Sequence, residues 1–104
     1  MDGDHRKIMA NADRVATRLK LLGHPERLMM LCRMAEGEVS AGELVRLSGL
    51  SQSAASQHLA LMRDEGIVST EARRQSRVYS LTDPTVRAVI HALCEVCAKD
   101  SEAK

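Results

Sequence analysis

A chain of 104 residues and 11.4 kDa has room for one compact domain with a small core. It is 44% apolar, too much for a disordered chain, and its single aromatic residue, Tyr79, excludes both base-stacking platforms and aromatic cation cages. With 15 Lys and Arg against 14 Asp and Glu the net charge is +1, so any nucleic-acid binding must come from a local patch.

Residues 1–6 read as a polar tail. Ile8, Ala12, Val15, Leu19 and Leu22 then recur at steps of three and four, which predicts an amphipathic helix that Gly23 stops. His24-Pro25 restarts the chain, with Pro25 suited to a first helical position. Leu28, Leu31, Cys32 and Ala35 form the expected buried stripe of this second helix, which ends at Gly37. Ser40-Ala-Gly-Glu43 reads as a capping box opening a third helix with Leu44, Val45 and Leu47. Ser48-Gly49-Leu50 is a tight turn, and Ser51 caps a fourth helix that runs to Gly66. Ile67 to Ala72 and Arg77 to Leu81 alternate as two strands around the polar turn Arg73-Arg74-Gln75-Ser76. Asp83-Pro84 opens a last helix with Val86, Ile90, Leu93 and Cys97 on one stripe, and 99–104 reads as a frayed polar tail. The expected fold is mainly α with a small β-hairpin wing: a single winged helix-turn-helix domain over 1–104.

The fourth helix carries the functional signal. Ala55, Leu59 and Met62 mark its inward side, and Gln52, Ser53, Ser56, Gln57 and Arg63 its other side. An ordinary solvent face would carry more Glu and Lys. Neutral hydrogen-bonding groups suit base edges in a major groove, where Gln pairs bidentately with adenine. Arg73, Arg74 and Arg77 surround the hairpin turn, where a wing would meet phosphates; a solvated basic turn has the same composition.

The start, Met1-Asp-Gly-Asp-His-Arg-Lys, has no apolar segment after its charges, and no apolar run approaches the ~18–20 residues of a membrane span. The three cysteines, Cys32, Cys94 and Cys97, are not spaced as a disulfide framework, so a cytoplasmic protein with free thiols is expected. Cys94-Glu-Val-Cys97 is formally C-x-x-C, but no second pair supports a structural zinc. Its place near a helix C-terminus also disfavours a thiolate. With no Gly-rich phosphate loop, no H-E-x-x-H and no nucleophile elbow, neither an enzyme nor a cofactor is expected.

The segments Leu22-Gly-His-Pro-Glu-Arg-Leu28, Ser40-Ala-Gly-Glu-Leu44, Leu50-Ser-Gln-Ser53, Ser56-Gln-His-Leu59 and Arg63-Asp-Glu-Gly-Ile67 strongly resemble the ArsR/SmtB family of bacterial repressors over roughly residues 15–97. The resemblance implies a homodimer built on the first and last helices that binds an inverted-repeat operator and is weakened by an inducer. The family's DNA-contacting pattern falls on Ser53, Ser56, Gln57 and His58; His58, beside the buried stripe, reads equally as a packed histidine. The arsenic-type Cys-Val-Cys cluster is absent from residues 40–48, and of the zinc-type ligands on the last helix only His91 is present.

The segment Leu31-Cys32-Arg33 and the stretch from Ser40 to Gly66 resemble the sulfide-responsive branch of the family, the BigR, SqrR and YgaV type. That likeness implies release from DNA by inorganic or low-molecular-weight persulfides, which link a cysteine of the second helix to one near the end of the last through added sulfur. The branch's second cysteine would fall at Ala98, one residue beyond Cys97. On stripe position Cys97 is the expected partner of Cys32, with Cys94 an accessory. A thiophilic metal or metalloid sensor using Cys32, Cys94 and Cys97 is the competing class; otherwise no metal site is expected.

Overall fold

In a computed structural model, which describes the backbone of residues 2–103 and the side chains of residues 6–98, Asn11 divides the predicted first helix in two. The halves are α1 (Asp2–Ala10) and α2 (Ala12–Leu22). Asn11 leaves helical geometry at φ −115°, ψ 19°, and its Nδ2 donates to the Lys7 carbonyl at 2.8 Å. This is the local competition with the backbone that makes Asn a helix breaker. Helix therefore replaces the polar tail expected at 1–6, from Asp2 onward. The C-terminal expectation is corrected too: α6 (Pro84–Ala103) continues through the segment read as frayed, where no Gly or Pro stops it. Met1 and Lys104 lie outside the described residues.

Between these ends run α3 (Pro25–Ala35), β1 (Val39–Ser40), α4 (Ala41–Ser48), α5 (Gln52–Asp64), β2 (Val68–Arg73) and β3 (Ser76–Leu81). Ser40 Oγ accepts from the Glu43 N–H at 3.2 Å, half of the predicted capping box. The returning half is missing because the Glu43 carboxylate takes Arg33 Nε at 2.7 Å instead. Ser51 caps α5 by accepting from the Ala54 N–H at 3.1 Å. Gly49, at φ +72°, lets the chain reverse between α4 and α5 where a side chain would be strained. The strands form one antiparallel sheet in the order β1-β3-β2, with Thr70 opposite Tyr79 and Arg73 opposite Ser76. The turn is thus Arg74-Gln75 alone. At two residues, β1 is too short for any periodicity to announce it.

The core gathers around α3. Its buried line is Met30, Leu31 and Met34; Leu28, Cys32 and Ala35 are only half-buried at its edge, which corrects the predicted stripe. Because α4, α6 and β3 all pack on α3, a single narrow stripe could not serve them. Leu21, Leu22, Val39, Leu44, Leu59, Met62, Ile67, Val68, Leu81, Val86 and Ile90 complete the cluster. Each such side chain contributes about 1.5–3 kcal/mol by leaving water. Asp83 caps α6, its Oδ1 accepting from the N–H groups of Thr85 and Val86 at 2.8 and 3.0 Å. Its Oδ2 takes Arg18 Nε at 2.6 Å, which ties α2 to α6. Burial alone would push this carboxyl up, but the Arg18 hydrogen bond, the Val86 N–H and the guanidinium charge outweigh it and hold the pKa below its ordinary value.

Of the apolar stripe of the predicted first helix only the last residue, Leu22, enters this core. Ile8 is 60% exposed and Leu19 53%, while Leu22 is buried.

Candidate nucleic-acid interface and thiol site

On α5 the two predicted faces separate as expected. Ala55, Leu59 and Met62 are buried, and Gln52, Ser53, Ser56, Gln57 and Arg63 are exposed. Among the described residues, the side chains of Gln52, Ser53, Ser56 and Gln57 make no hydrogen bond within the chain, which leaves their donors and acceptors available to a ligand. His58 belongs elsewhere. Its Nδ1 lies 3.3 Å from Arg27 Nη1 and its ring packs 4.6 Å from that of His24. Arg27 also donates through Nε to the Leu21 carbonyl at 2.8 Å, so one guanidinium joins the end of α2 to α5. Burial first, then the charges of Arg27 and His24, push the His58 pKa down against the opposing pull of Glu26. No spacing rule points to this cluster; His24, Arg27 and His58 lie in segments quoted for the family resemblance, but nothing in those segments shows that they meet.

The wing is less basic than its composition. Arg73 donates to both Glu38 and Glu71, the latter at 2.7 Å, so two carboxylates offset its charge. Their hydrogen bonds, that of Glu71 foremost, raise its pKa further. Arg77 reaches Thr70 Oγ1 at 3.4 Å. Arg74 stands at the turn itself with φ +53°, a conformation unusual for a residue with a side chain. Composition groups the three arginines, but among the described residues Arg74 and Arg77 have no carboxylate partner.

The thiols meet where α3 crosses α6. Cys94 Sγ lies 3.8 Å from Cys32 Sγ, and Cys97 lines the same cavity of about 550 Å³ with Leu28, Met29, Leu47 and Leu93. The contact with Cys32 is made by Cys94, where stripe position led to Cys97. On α6 Val86 and Ile90 are buried, and Cys94, the next residue at a step of four, is exposed but points along the same line toward Cys32; Leu93, which carried the argument for Cys97, is 41% exposed. At about 100° per residue, Cys94 and Cys97 lie only about 60° apart around the helix, so a small rotation of the seam chooses between them. Burial, the neighbouring Cys94 and Cys97, and Glu36 push the Cys32 thiol up to about 11. Among the described residues no group of three or more His, Cys, Asp or Glu converges to hold a metal ion. Nor is any described helix long and apolar enough to cross a membrane.

Residues 24–70 match the model of the bacterial regulatory protein family arsR. Over 91 residues the chain is 44% identical to the HTH-type transcriptional regulator YgaV of Escherichia coli K12, covering 86% of this chain and 92% of that protein. It is 40% identical to the transcriptional activator HlyU of Vibrio cholerae over 88 residues, covering 85% and 82% of the two chains. The crystal structure of the transcriptional repressor BigR from Xylella fastidiosa superposes with a TM-score of 0.81 at 37% identity, covering 88% of this chain and 94% of that one. The winged helix, the polar outer face of α5 and these relatives agree: the chain belongs to the ArsR family of bacterial regulatory proteins, in the branch of BigR and HlyU, and is a DNA-binding transcriptional regulator rather than an enzyme.

Proposed function

We propose that the protein is a cytoplasmic, homodimeric repressor that reads an inverted-repeat operator through α5 and is released when reactive sulfur species crosslink Cys32 to Cys94. The observation that carries this reading is the 3.8 Å separation of the two sulfurs across the α3–α6 seam. A disulfide bond is about 2.05 Å, and two such bonds meeting at the ordinary bent angle at sulfur hold the ends of a one-sulfur bridge about 3.3 Å apart, so an added sulfur needs less movement than direct closure. Dimer formation is supported by Ile8, Met9, Leu19, Leu93 and Val96, large apolar side chains exposed on α1, α2 and α6. Gln52, Ser53, Ser56, Gln57 and Arg63 would face the groove, with Arg74 and Arg77 on phosphates.

Cys94 is the attacking group because its side chain is exposed, whereas Cys32 is half-buried and burial with the neighbouring thiols pushes it up to about 11. Cys94, giving its proton to solvent, takes the outer sulfur of a persulfide R–S–SH, giving Cys94–S–SH and the thiolate R–S⁻. A second donor extends this to Cys94–S–S–SH with loss of another R–S⁻. Cys32, giving its proton to solvent, then attacks the middle sulfur and expels HS⁻. Two thiols are oxidised, one sulfur remains in the bridge, and one leaves as sulfide. The bridge fixes α6 against α3 and shifts the helices that space the two copies of α5, so the DNA-bound state loses population.

In the unsubstituted protein, crosslinking should weaken operator binding by about 1–3 kcal/mol. Cys32→Ser and Cys94→Ser should each bind the operator normally and fail to release with inorganic polysulfide, while Cys97→Ser responds. Peptide mass spectrometry should find Cys32 and Cys94 joined through added sulfur. If Cys97→Ser is blind and Cys94→Ser responds, the pair is Cys32 with Cys97 and the assignment is wrong.

A further inference from the structure

The cavity beside the thiols has a chemical character of its own. Leu28, Met29, Leu47 and Leu93 wall it, and the sulfurs of Cys32 and Cys94 sit together in its lining. Its volume of about 550 Å³ falls within the roughly 300–1,000 Å³ of small-molecule pockets. Two charged residues also line it, Arg33 and Glu36. Arg33 is committed elsewhere, donating to Glu43 Oε2 at 2.7 Å and to the Gly37 carbonyl at 3.5 Å. The charge left at the wall is therefore the carboxylate of Glu36. Such a site offers an anionic tail no partner and a repulsion, and offers an alkyl tail a surface to cover.

Resting on the sulfur-responsive reading above, we infer that this cavity selects the sulfur donor by its tail, taking uncharged alkyl hydropersulfides in preference to anionic peptide persulfides. The alkyl chain lies along Leu28, Met29, Leu47 and Leu93, and its outer sulfur is presented to Cys94. The transfer is the one already written: Cys94–S⁻ and R–S–SH give Cys94–S–SH and R–S⁻. Only R changes, and the thiolate that leaves carries the chain out with it.

A methylene fully removed from water improves association about fourfold, and in a groove open on one side about twofold. The test measures crosslinking by mass spectrometry and operator release by fluorescence anisotropy with propyl, hexyl and glutathione hydropersulfides. Each rate is normalised to that of the same donor with free cysteine, which removes intrinsic reactivity. Hexyl should exceed propyl about tenfold, and glutathione persulfide should be the slowest. Met29 is 43% exposed at the rim, so Met29→Lys should raise the glutathione rate and erode the hexyl advantage. Glu36→Gln, at an exposed position, should raise the glutathione rate alone. Equal normalised rates for all donors, with release intact, would overturn the selectivity and leave the sulfur switch standing; a second copy covering the groove would give that result. If no donor crosslinks or releases the protein, the sulfur reading itself fails, and this inference with it.

Discussion

Helices α5 and α6 are both amphipathic, yet they spend their exposed faces differently. On α5 every apolar residue of the inward line is closed off, Ala55 and Met62 at 0% and Leu59 at 2%, and the outer face is polar apart from Leu61. On α6 burial covers Val86 and Ile90 and then stops, leaving Leu93 at 41% and Val96 at 56% exposed. A polar face left to solvent costs nothing and suits a polar ligand such as a row of base edges and phosphates. An apolar face left to solvent is unfavourable until a second protein surface covers it. Periodicity finds the faces of both helices, but what remains exposed tells the two kinds of partner apart.

The strongest way to break this contrast is to charge the apolar end. Leu19→Glu with Val96→Glu should convert a dimer to a monomer by light scattering and cost the operator complex about hundredfold or more, since two linked half-sites become one. A double variant that stays dimeric would show that the exposed end of α6 is no interface. Next in size are substitutions that sharpen the reading of α5 against the wing. Gln57→Ala should remove about 1–3 kcal/mol of discrimination between operator and altered sequences. Arg74→Ala should weaken all duplexes alike and flatten the salt slope by about 0.9. Identical profiles for the two would mean that α5 does not read bases.

The smallest expected effect is on the joint between α3 and α5. Since the His58 pKa is lowered in the fold, the folded state favours the neutral ring. Its contribution is complete above the ordinary histidine pKa of about 6.5 and is lost as pH falls below that through the folded value. Acidification from about pH 7.5 to about pH 5.5 should lower the melting temperature a few degrees more in the parent than in His58→Gln. An equal fall in both would remove His58 from the joint.

Much of the fold was legible because its signals are local. Ser40 and Ser51 announce two helix starts, Pro25 a third, and Gly49 the reversal between α4 and α5. The polar face of α5 was legible for the same reason. Asn11 was available as a signal too, since its short amide competes with the helix, but the continuous apolar spacing on either side concealed the break. The division of labour among the wing arginines was not legible. Glu38, which pairs with Arg73, stands 35 residues away in sequence, and only the β1–β3 pairing brings it alongside.

By itself, the sequence determined where α3, α4, α5 and α6 begin, that a hairpin follows α5, and that α5 has one apolar and one hydrogen-bonding side. Those follow from capping, backbone freedom and the 3.6-residue period, all of which act within a few residues. Only the tertiary structure decided that Cys94 and not Cys97 faces Cys32, that Arg73 is neutralised, and that His58 packs on Arg27 and His24 instead of facing outward. Each depends on how far one element is rotated against another. At about 100° per residue, the rotation that chooses between neighbouring side chains is set by packing across the whole core rather than by the helix that carries them.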